Sequence, residues 1–214
     1  MRESQTVEAR PYHHGDLSRA LVDAARRLLE AEGPSALSLR AVAREAGVSP
    51  AAPYHHFKDK GELLDAVAHE GWDLLDKAIV AAKAAAPDIH AAMTEIGVAY
   101  VCFACSNPAL YRVMYDTARD KEDLPAQMSS GEDSAYCKVR DTLLEAGASP
   151  TDQIDLELAT VAAWCAAHGL AEMSGFKQFQ HLKDSLGGDV GFFRAVFNHL
   201  ALSPIPFGRR SPAH

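Results

Sequence analysis

The sequence lacks the features of secreted, membrane-spanning and fibrous proteins. Four cysteines in 214 residues are too few and too irregularly spaced for a disulfide framework. No stretch reaches the roughly 18 uncharged apolar residues of a membrane span. The longest candidate, Leu158 to Met173, contains His168 and Glu172. Because no apolar segment follows basic residues at the N-terminus, we expect a cytoplasmic protein with reduced, mostly buried thiols and no membrane partner.

Strand patterns and catalytic motifs are also missing. Valine, isoleucine and threonine do not alternate over strand-length segments, and the long segments have the 3.6-residue period of helices. No G-x-S-x-G, H-E-x-x-H, phosphate-binding loop or dinucleotide fingerprint is present. The composition, 48% hydrophobic and 23% charged, is that of a globular protein. We predict an all-α fold, no enzymatic activity and no cofactor.

Negative charge is concentrated in the C-terminal part. Residues 1–60 contain 9 basic and 8 acidic residues, whereas the remainder contains 12 and 21. The net charge of −8 argues against a protein that coats nucleic acid or an anionic membrane, but the distribution of charge matters more than its sum. The two parts are therefore expected to have different partners.

Two short helical segments flank Gly47-Val48-Ser49. Ser38 has the position of an N-cap for the first, and Gly47 suits the left-handed residue that ends it. Ser49 is the predicted N-cap of the second, with Pro50 at its first position. Two short helices joined by a three-residue turn that contains glycine predict a helix-turn-helix.

Pro53 interrupts the second of these helices. With Ser49 as N-cap, it removes only the first hydrogen bond of that helix, which costs less than a proline in a helix interior. Its ring could meet a thymine methyl group, or it could face the preceding helix and serve packing alone. The residues leave these two roles open.

The rest of the chain predicts further helices. Asp59 and Glu62 have capping-box spacing before a long helix that reaches about Ala86. Helical periods continue over 89–105, 108–115, 134–146 and 190–202, and a polar loop is predicted over 117–133. Ser149 and Asp152 also have capping-box spacing, before a helix that reaches about Ser174. Because 158–173 is apolar nearly all round, we expect a partner subunit to cover part of it.

Several aromatic and polar side chains on these helices are candidates for a ligand pocket. Trp164 and His168 are the first choice, because they are four residues apart and share a helix face. Most such residues fill cores, and a hydrogen-bonded core histidine is the commoner explanation. The full set is Tyr100, Phe103, Tyr111, Met114, Tyr115, Trp164, His168 and Met173.

A metal- or thiol-based sensor or enzyme is the alternative function. Cys102-x-x-Cys105 and Cys165-x-x-His168 each place two ligands on one helical turn, and together they could form a tetrahedral site. The alanine-rich surroundings favour packing thiols, so we predict no metal. One metal per subunit or enzymatic turnover would support the alternative.

Two segments, "SLRAVAREAGVSPAAPYHHF" and "KDKGELL", resemble the DNA-binding domain of the TetR family of transcriptional repressors. The likeness covers about residues 12–65 and departs at Pro53, where leucine or isoleucine is more usual. "WCAAHGL", Trp164 to Leu170, resembles a C-terminal domain of the Trp-His-Gly type. The resemblance implies an N-terminal three-helix DNA-binding domain and a larger helical ligand-binding and dimerisation domain.

The resemblance also implies partners and boundaries. It predicts a ligand-released repressor that binds a palindromic operator in double-stranded DNA as a homodimer and responds to a small apolar or amphipathic effector. The expected domains are a disordered arm at 1–11, the helix-turn-helix domain at 12–59, the C-terminal domain at 60–204 and a tail at 205–214. Arg10, His13 and His14 could enter the minor groove, although a disordered tail is the simpler alternative.

Residue roles follow from the same resemblance. The DNA contacts would come from Ser38, Arg40, Ser49, Ala51, Ala52, Tyr54, His55, His56 and Lys60. The dimer interface would come from the last two long helices, through Val161, Ala162, Phe193, Val196, Phe197 and Leu200.

Overall fold

The computed structural model describes residues 14–119, 134–147 and 152–202. Over these ranges the chain forms α-helices and two short 3₁₀ helices, with no strand, which confirms the all-α prediction. The chain divides into two compact units between Val67 and Ala68. Our predicted boundary lay between residues 59 and 60. Leu63 and Val67 are fully buried in the first unit, which explains the later division.

The first unit contains helices α1 (His14–Glu32) and α2 (Leu39–Glu45), a 3₁₀ helix (Ala52–His55) and the first turns of α3 (Lys60–Ala85). Its apolar core follows the 3.6-residue period of α1 and α2. The core residues include Leu21, Ala24, Ala25, Leu28, Leu29, Val42, Ala43 and Phe57.

The second unit contains the rest of α3 and six further helices. These are α4 (Ile89–Ser106), α5 (Pro108–Arg119), α6 (Ala135–Glu145), α7 (Gln153–Met173), α8 (Gln180–Ser185) and α9 (Asp189–Leu202), with a 3₁₀ helix (Lys177–Phe179) before α8. Residues 117–119 continue α5 instead of starting the predicted loop, and the rest of that loop lies outside the described residues.

Helix α4 is the centre of the second unit. It packs against α5, α6, α7 and α9. By length and composition α4 is a candidate membrane span, which our choice of Leu158 to Met173 as the longest apolar stretch missed. Half of the α4 span is buried inside the protein, and a bidentate ion pair between Glu95 of α4 and Arg194 of α9 adds to the packing. These contacts are those of a core helix.

Helix caps fix the bounds of several elements. The Asp88 and Asp152 carboxylates accept from the amides three residues later. Helix α4 therefore begins where we predicted, whereas α7 begins after Asp152, the last residue of the predicted capping box, whose cap residue Ser149 lies outside the described residues. Ser134 caps α6 in the same way, and Gly147, with φ of +90°, follows that helix. The predicted arm at 1–11 and tail at 205–214, with Arg10 and His13, lie outside the described residues, as does the side chain of His14.

Candidate functional site

Helix α2 and the turn after it have the predicted geometry. The Ser38 hydroxyl accepts from the Ala41 amide at 3.1 Å and caps the helix. Gly47 has φ of +69°, a conformation that favours glycine, and the Val48 amide then donates to the Ala43 carbonyl at 2.9 Å. This is the 6→1 hydrogen bond of a Schellman motif. The first helix and turn of the predicted helix-turn-helix are therefore confirmed.

The second helix is shorter and tighter than we predicted. It is a 3₁₀ helix over Ala52–His55, and not an α-helix capped by Ser49 with Pro50 at its first position. Pro53 has no N–H to donate to the Ser49 carbonyl, which instead accepts from the Ala52 amide at 3.0 Å. The Pro53 carbonyl accepts from the amides of His56 and Phe57, both at 2.9 Å. The proline thus explains the 3₁₀ geometry.

The Pro53 ring is buried, and the 3₁₀ helix packs against α2. This observation decides between the two roles that the sequence left open, because a buried ring is not presented to a thymine methyl group. A 3₁₀ helix has three residues per turn, so side chains three apart share a side. Ala51 and Tyr54 lie on an exposed side, and Tyr54 is 53% exposed.

The structure places all of the predicted DNA contacts in the first unit and buries none of them. Ala52 and His56 are half-buried, and the others are exposed: Ser38, Arg40, Ser49, Ala51, Tyr54, His55 and Lys60. The Lys60 ammonium donates to the Pro34 carbonyl at 2.8 Å, which holds it beside the start of α3. The Asp59 carboxylate accepts from the Glu62 amide at 3.0 Å, as in the predicted capping box. The Glu62 carboxylate accepts from the Lys58 amide, whereas a capping box would have it accept from the Asp59 amide.

A cavity of about 790 Å³ lies within the second unit. Its walls are the end of α4, one face of α5, the C-terminal half of α7, and residues of α8 and α9. The aromatic part of the lining is Tyr111, Tyr115, His168 and Phe193. The charged part is Arg112, Asp116, Arg119, Glu172, Lys183 and Asp189.

A chain of hydrogen bonds runs behind and along this wall. The Trp164 indole N–H donates to the Tyr115 hydroxyl at 3.0 Å. Tyr115 and Tyr100 are joined by a short hydrogen bond, and Tyr100 and Tyr111 by one of 3.1 Å. The Tyr111 hydroxyl lies 2.5 Å from His168 Nδ1, and that of Tyr100 lies 3.4 Å from the same nitrogen. We call these five residues the hydroxyl chain.

The hydroxyl chain is packed and protonated. The rings of Tyr115 and His168 are 4.5 Å apart, those of Tyr100 and Trp164 are 5.2 Å apart, and Trp72 meets the edge of Tyr115 at 5.4 Å. Burial raises the pKa of Tyr100 and Tyr111 well above the usual range and raises the pKa of Tyr115 to about 12. The three hydroxyl groups are therefore hydrogen-bond donors at neutral pH.

Three of the eight predicted pocket residues line the cavity: Tyr111, Tyr115 and His168. Tyr100 and Trp164 lie behind them in the hydroxyl chain. Phe103 and Met114 are core residues, and Met173 is 44% exposed and away from the cavity. Helical spacing predicts a shared face but not its depth, which is why core and lining residues were grouped together.

The charged side chains of the lining were not predicted from the sequence. Arg112, Asp116 and Arg119 recur at four and three residues along α5, a pattern that is also typical of a solvated helix face. Lys183 donates to Asp189 at 2.7 Å and to the Ser174 carbonyl at 2.6 Å, so its charge is paired. An apolar or amphipathic effector, as we predicted, would require a less polar lining than these residues provide.

An apolar stripe runs along the outside of α7. It consists of Ile154, Leu158, Val161, Ala162, Cys165 and Met173, all exposed. Within one chain α7 is therefore buried on one side only, and the exposed stripe is the part for which we predicted a partner subunit as cover. Of the interface residues predicted on α9, Leu200 is exposed and Val196 and Phe197 are half-buried. Phe193, which we predicted at the dimer interface, is only 2% exposed and lines the cavity, so it belongs to the interior of the second unit.

The cysteines do not form a metal site in the part of the chain that the structure describes. No group of three histidine, cysteine, aspartate or glutamate side chains there could hold an ion. Cys105 and Cys165 are exposed and Cys102 is half-buried, so of the four free thiols only that of Cys137 is buried. The prediction of mostly buried thiols was wrong, and nothing supports the metal- or thiol-based alternative built on Cys102, Cys105, Cys165 and His168.

Comparison with known proteins adds independent information. Residues 21–67 match the bacterial regulatory proteins of the tetR family, and residues 93–197 match the tetracyclin repressor-like C-terminal domain. The HTH-type transcriptional regulator BetI of Rhizobium meliloti is 36% identical over 109 residues, which are 50% of this chain and 54% of BetI. The chain thus spans about half the length of that relative.

Solved structures share the fold over most of the chain. A protein of unknown function from Rhodococcus sp. RHA1 is 31% identical with a TM-score of 0.71, over 90% of this chain and 96% of the other. The TetR family transcriptional regulator PfmR from Thermus thermophilus has a TM-score of 0.58 at 20% identity, over 88% of this chain and 95% of the other. The second likeness shows the fold alone.

Proposed function

Because the chain belongs to the TetR family of DNA-binding transcriptional regulators, we propose that it is a repressor, released from a palindromic operator by a small molecule. The observation that carries the effector part is the cavity of about 790 Å³ in the second unit, lined by Tyr111, Tyr115 and His168. A volume of this size is typical of small-molecule sites. The protein acts on cytoplasmic DNA and needs no catalysis.

The DNA contacts come from the exposed residues around the 3₁₀ helix. Ala51 and Ala52 are small and let the backbone approach base edges, with Ser49 and His55 beside them. Tyr54, His56, Arg40, Ser38 and Lys60 bind phosphates. The Lys60 ammonium is held at the N-terminus of α3, which is itself favourable for an anion.

A second copy of the chain covers the apolar stripe of α7. Leu158 is 62% exposed and Val161 46% exposed, and large apolar side chains in a row are unusual on a monomer surface. Two-fold pairing through this stripe and the exposed end of α9 would give a symmetric dimer. Such a dimer reads two half-sites about 34–36 Å apart, one turn of DNA.

Effector binding is coupled to DNA binding through α5 and α3. A Cβ on Gly71 of α3 would lie 2.6 Å from Met114 of α5, so these helices are in close contact, and Trp72 packs on Tyr115 one residue further. A shift of α5 around a ligand would therefore move α3, whose first turns belong to the first unit. Release requires the ligand to bind more tightly to the conformation that does not fit the operator.

A reporter gene behind an operator selected in vitro tests the proposal. Co-expression of the protein should lower reporter transcription, and Arg40→Glu should restore it because the variant repels phosphate. Lys177→Glu, an equal charge change at an exposed site of the second unit, is the control. Raised transcription with the wild-type protein would instead identify an activator.

A further inference from the structure

We propose that the cavity binds a small molecule whose inner end carries an sp² oxygen, a carbonyl or a carboxylate, which accepts a hydrogen bond from His168 Nε2–H. This inference rests on the proposed role of the cavity as the effector site. It follows from the direction of the hydroxyl chain, which fixes the proton position on the imidazole.

The hydrogen bonds of the hydroxyl chain have a defined direction because the indole N–H of Trp164 can only donate. Its proton goes to the Tyr115 oxygen. If each hydroxyl then accepts one hydrogen bond and donates one, the Tyr115 proton points to Tyr100, that of Tyr100 to Tyr111, and that of Tyr111 to His168 Nδ1. Four donors and four acceptors are then matched within the protein.

The reversed direction leaves groups unmatched. If His168 Nδ1–H donated to Tyr111, the Tyr115 oxygen would accept from both Trp164 and Tyr100, and its own proton would have no partner in the hydroxyl chain. Tyr115 and His168 both line the cavity. In the reversed direction the Tyr115 proton and the Nε2 lone pair would both need partners from the cavity, whereas in the first direction only the Nε2 proton does, so the first direction is favoured. His168 is then the neutral tautomer with its proton on Nε2.

Nε2 is open to the cavity. His168 lines the cavity, and within the described residues its only hydrogen bonds are those at Nδ1. No fully buried side-chain nitrogen or oxygen in that part of the chain lacks a partner, so the free Nε2 is not sealed inside the protein. The cavity wall therefore offers a donor whose partner must come from a ligand or solvent.

The charged rim does not select one sign of charge. Lys183 and Asp189 neutralise each other. The remaining charges are two cations, Arg112 and Arg119, and two anions, Asp116 and Glu172, all four exposed. Selectivity therefore depends on the inner donor, which accommodates an oxygen acceptor and rejects an ammonium group that would face it donor to donor.

The position of the proton can be measured without a ligand. Long-range ¹H–¹⁵N NMR of the full chain, with His168 assigned by comparison with His168→Gln, should show the Nε2–H tautomer at neutral pH. Tyr111→Phe removes the donor to Nδ1 and should make the two tautomers more equal. A wild-type Nδ1–H tautomer, or an imidazolium, would overturn the inference.

Matched probes test the ligand class. We would titrate carboxylates, their primary amides and the corresponding ammonium compounds on phenylbutyl, octyl and cyclohexylmethyl frames, following the His168 nitrogen resonances. At least one carboxylate or amide should shift Nε2 and bind about tenfold more tightly than its ammonium counterpart, as expected for one hydrogen bond to a charged or strongly polar group. Comparison of each carboxylate with its primary amide shows whether the site prefers a carboxylate oxygen or a neutral carbonyl oxygen. Tighter binding of the ammonium member, or no response from any series, would overturn the inference.

The outcomes also separate this inference from the proposed function. Binding of an oxygen acceptor at His168 without release of operator DNA would sustain the ligand class and contradict ligand-released repression. Release of the operator by a compound that does not perturb His168 Nε2 would support ligand-released repression and contradict the inferred ligand class.

Discussion

The Tyr111 hydroxyl lies 2.5 Å from His168 Nδ1, although the two residues are 57 positions apart in sequence. This contact joins α5 to α7 across the cavity wall, and Tyr100 from α4 completes the junction. The cavity is therefore built where three helices are held together by hydrogen bonds instead of apolar packing alone. Substitutions in this junction and on the surfaces around it have distinct expected effects.

Tyr100→Phe should lower the free energy of unfolding by about 1–3 kcal/mol, because it leaves buried partners of the Tyr100 hydroxyl unsatisfied. Urea denaturation at pH 7 measures the change. Tyr54→Phe, on an exposed ring, is the matched control and should leave stability unchanged. Equal stability of both variants would show that the hydroxyl chain contributes little to the fold.

Tyr54→Phe should weaken binding to operator and unrelated duplexes alike, by roughly three- to tenfold, because a phosphate contact carries little sequence information. Fluorescence anisotropy at a fixed salt concentration provides the measurement. Tyr136→Phe in the second unit is the control. Unchanged affinity would show that the Tyr54 hydroxyl makes no phosphate contact.

Leu158→Glu should convert the proposed dimer to a monomer, since it places a charge in the middle of the apolar stripe. Sedimentation velocity distinguishes the two states. Val80→Glu changes a residue of α3 that is 45% exposed and lies off the stripe, and this variant should remain dimeric. A dimeric Leu158→Glu protein would place the interface elsewhere.

Gly97→Ala should destabilise the second unit by about 1–3 kcal/mol, because the added methyl group would lie 2.7 Å from the Phe197 ring. Thermal unfolding measures the cost. In a Phe197→Leu background the same substitution should cost less, since the smaller side chain leaves room. An equal cost in both backgrounds would mean that the α4–α9 packing is not the cause.

Glu95→Gln should reduce stability at pH 7 by roughly 0.5–1 kcal/mol, the range of a partly exposed pair. The hydrogen bond from Arg194 lowers the pKa of Glu95 in the folded protein below its value in the unfolded chain. The contribution of the ion pair to the free energy of unfolding is therefore fully present above the unfolded-state pKa and is lost as the pH falls through the folded-state pKa. Unfolding experiments at pH 7 and at pH 3 should show the difference between variant and wild type shrinking in acid. A difference independent of pH would contradict the charge-based explanation.

Local patterns predicted most of the fold, because helix period, caps and glycine turns are local properties. The expected helix at 89–105 is Ile89–Ser106 in the structure, with Asp88 as its cap. The same reasoning failed at Pro53, where one missing N–H favours a 3₁₀ helix over an α-helix, and spacing alone does not decide between them.

The candidate site was predictable only in part. Tyr111, Tyr115 and His168 were identified as aromatic or polar residues on helices, but their contact depends on how α5 and α7 pack. Arg112 and Asp116 have the sequence pattern of a solvated face, and Phe193 that of an interface residue. Whether such residues face a cavity, the core or a partner is set by tertiary packing.

Recognition of a palindromic operator by a dimer can be tested by selection of binding sites from random duplex DNA with the purified protein at near-physiological salt. A dimeric regulator should enrich a palindrome with half-sites about one helical turn apart. Enrichment of a single unpaired half-site, or of no sequence at all by folded dimeric protein, would contradict it.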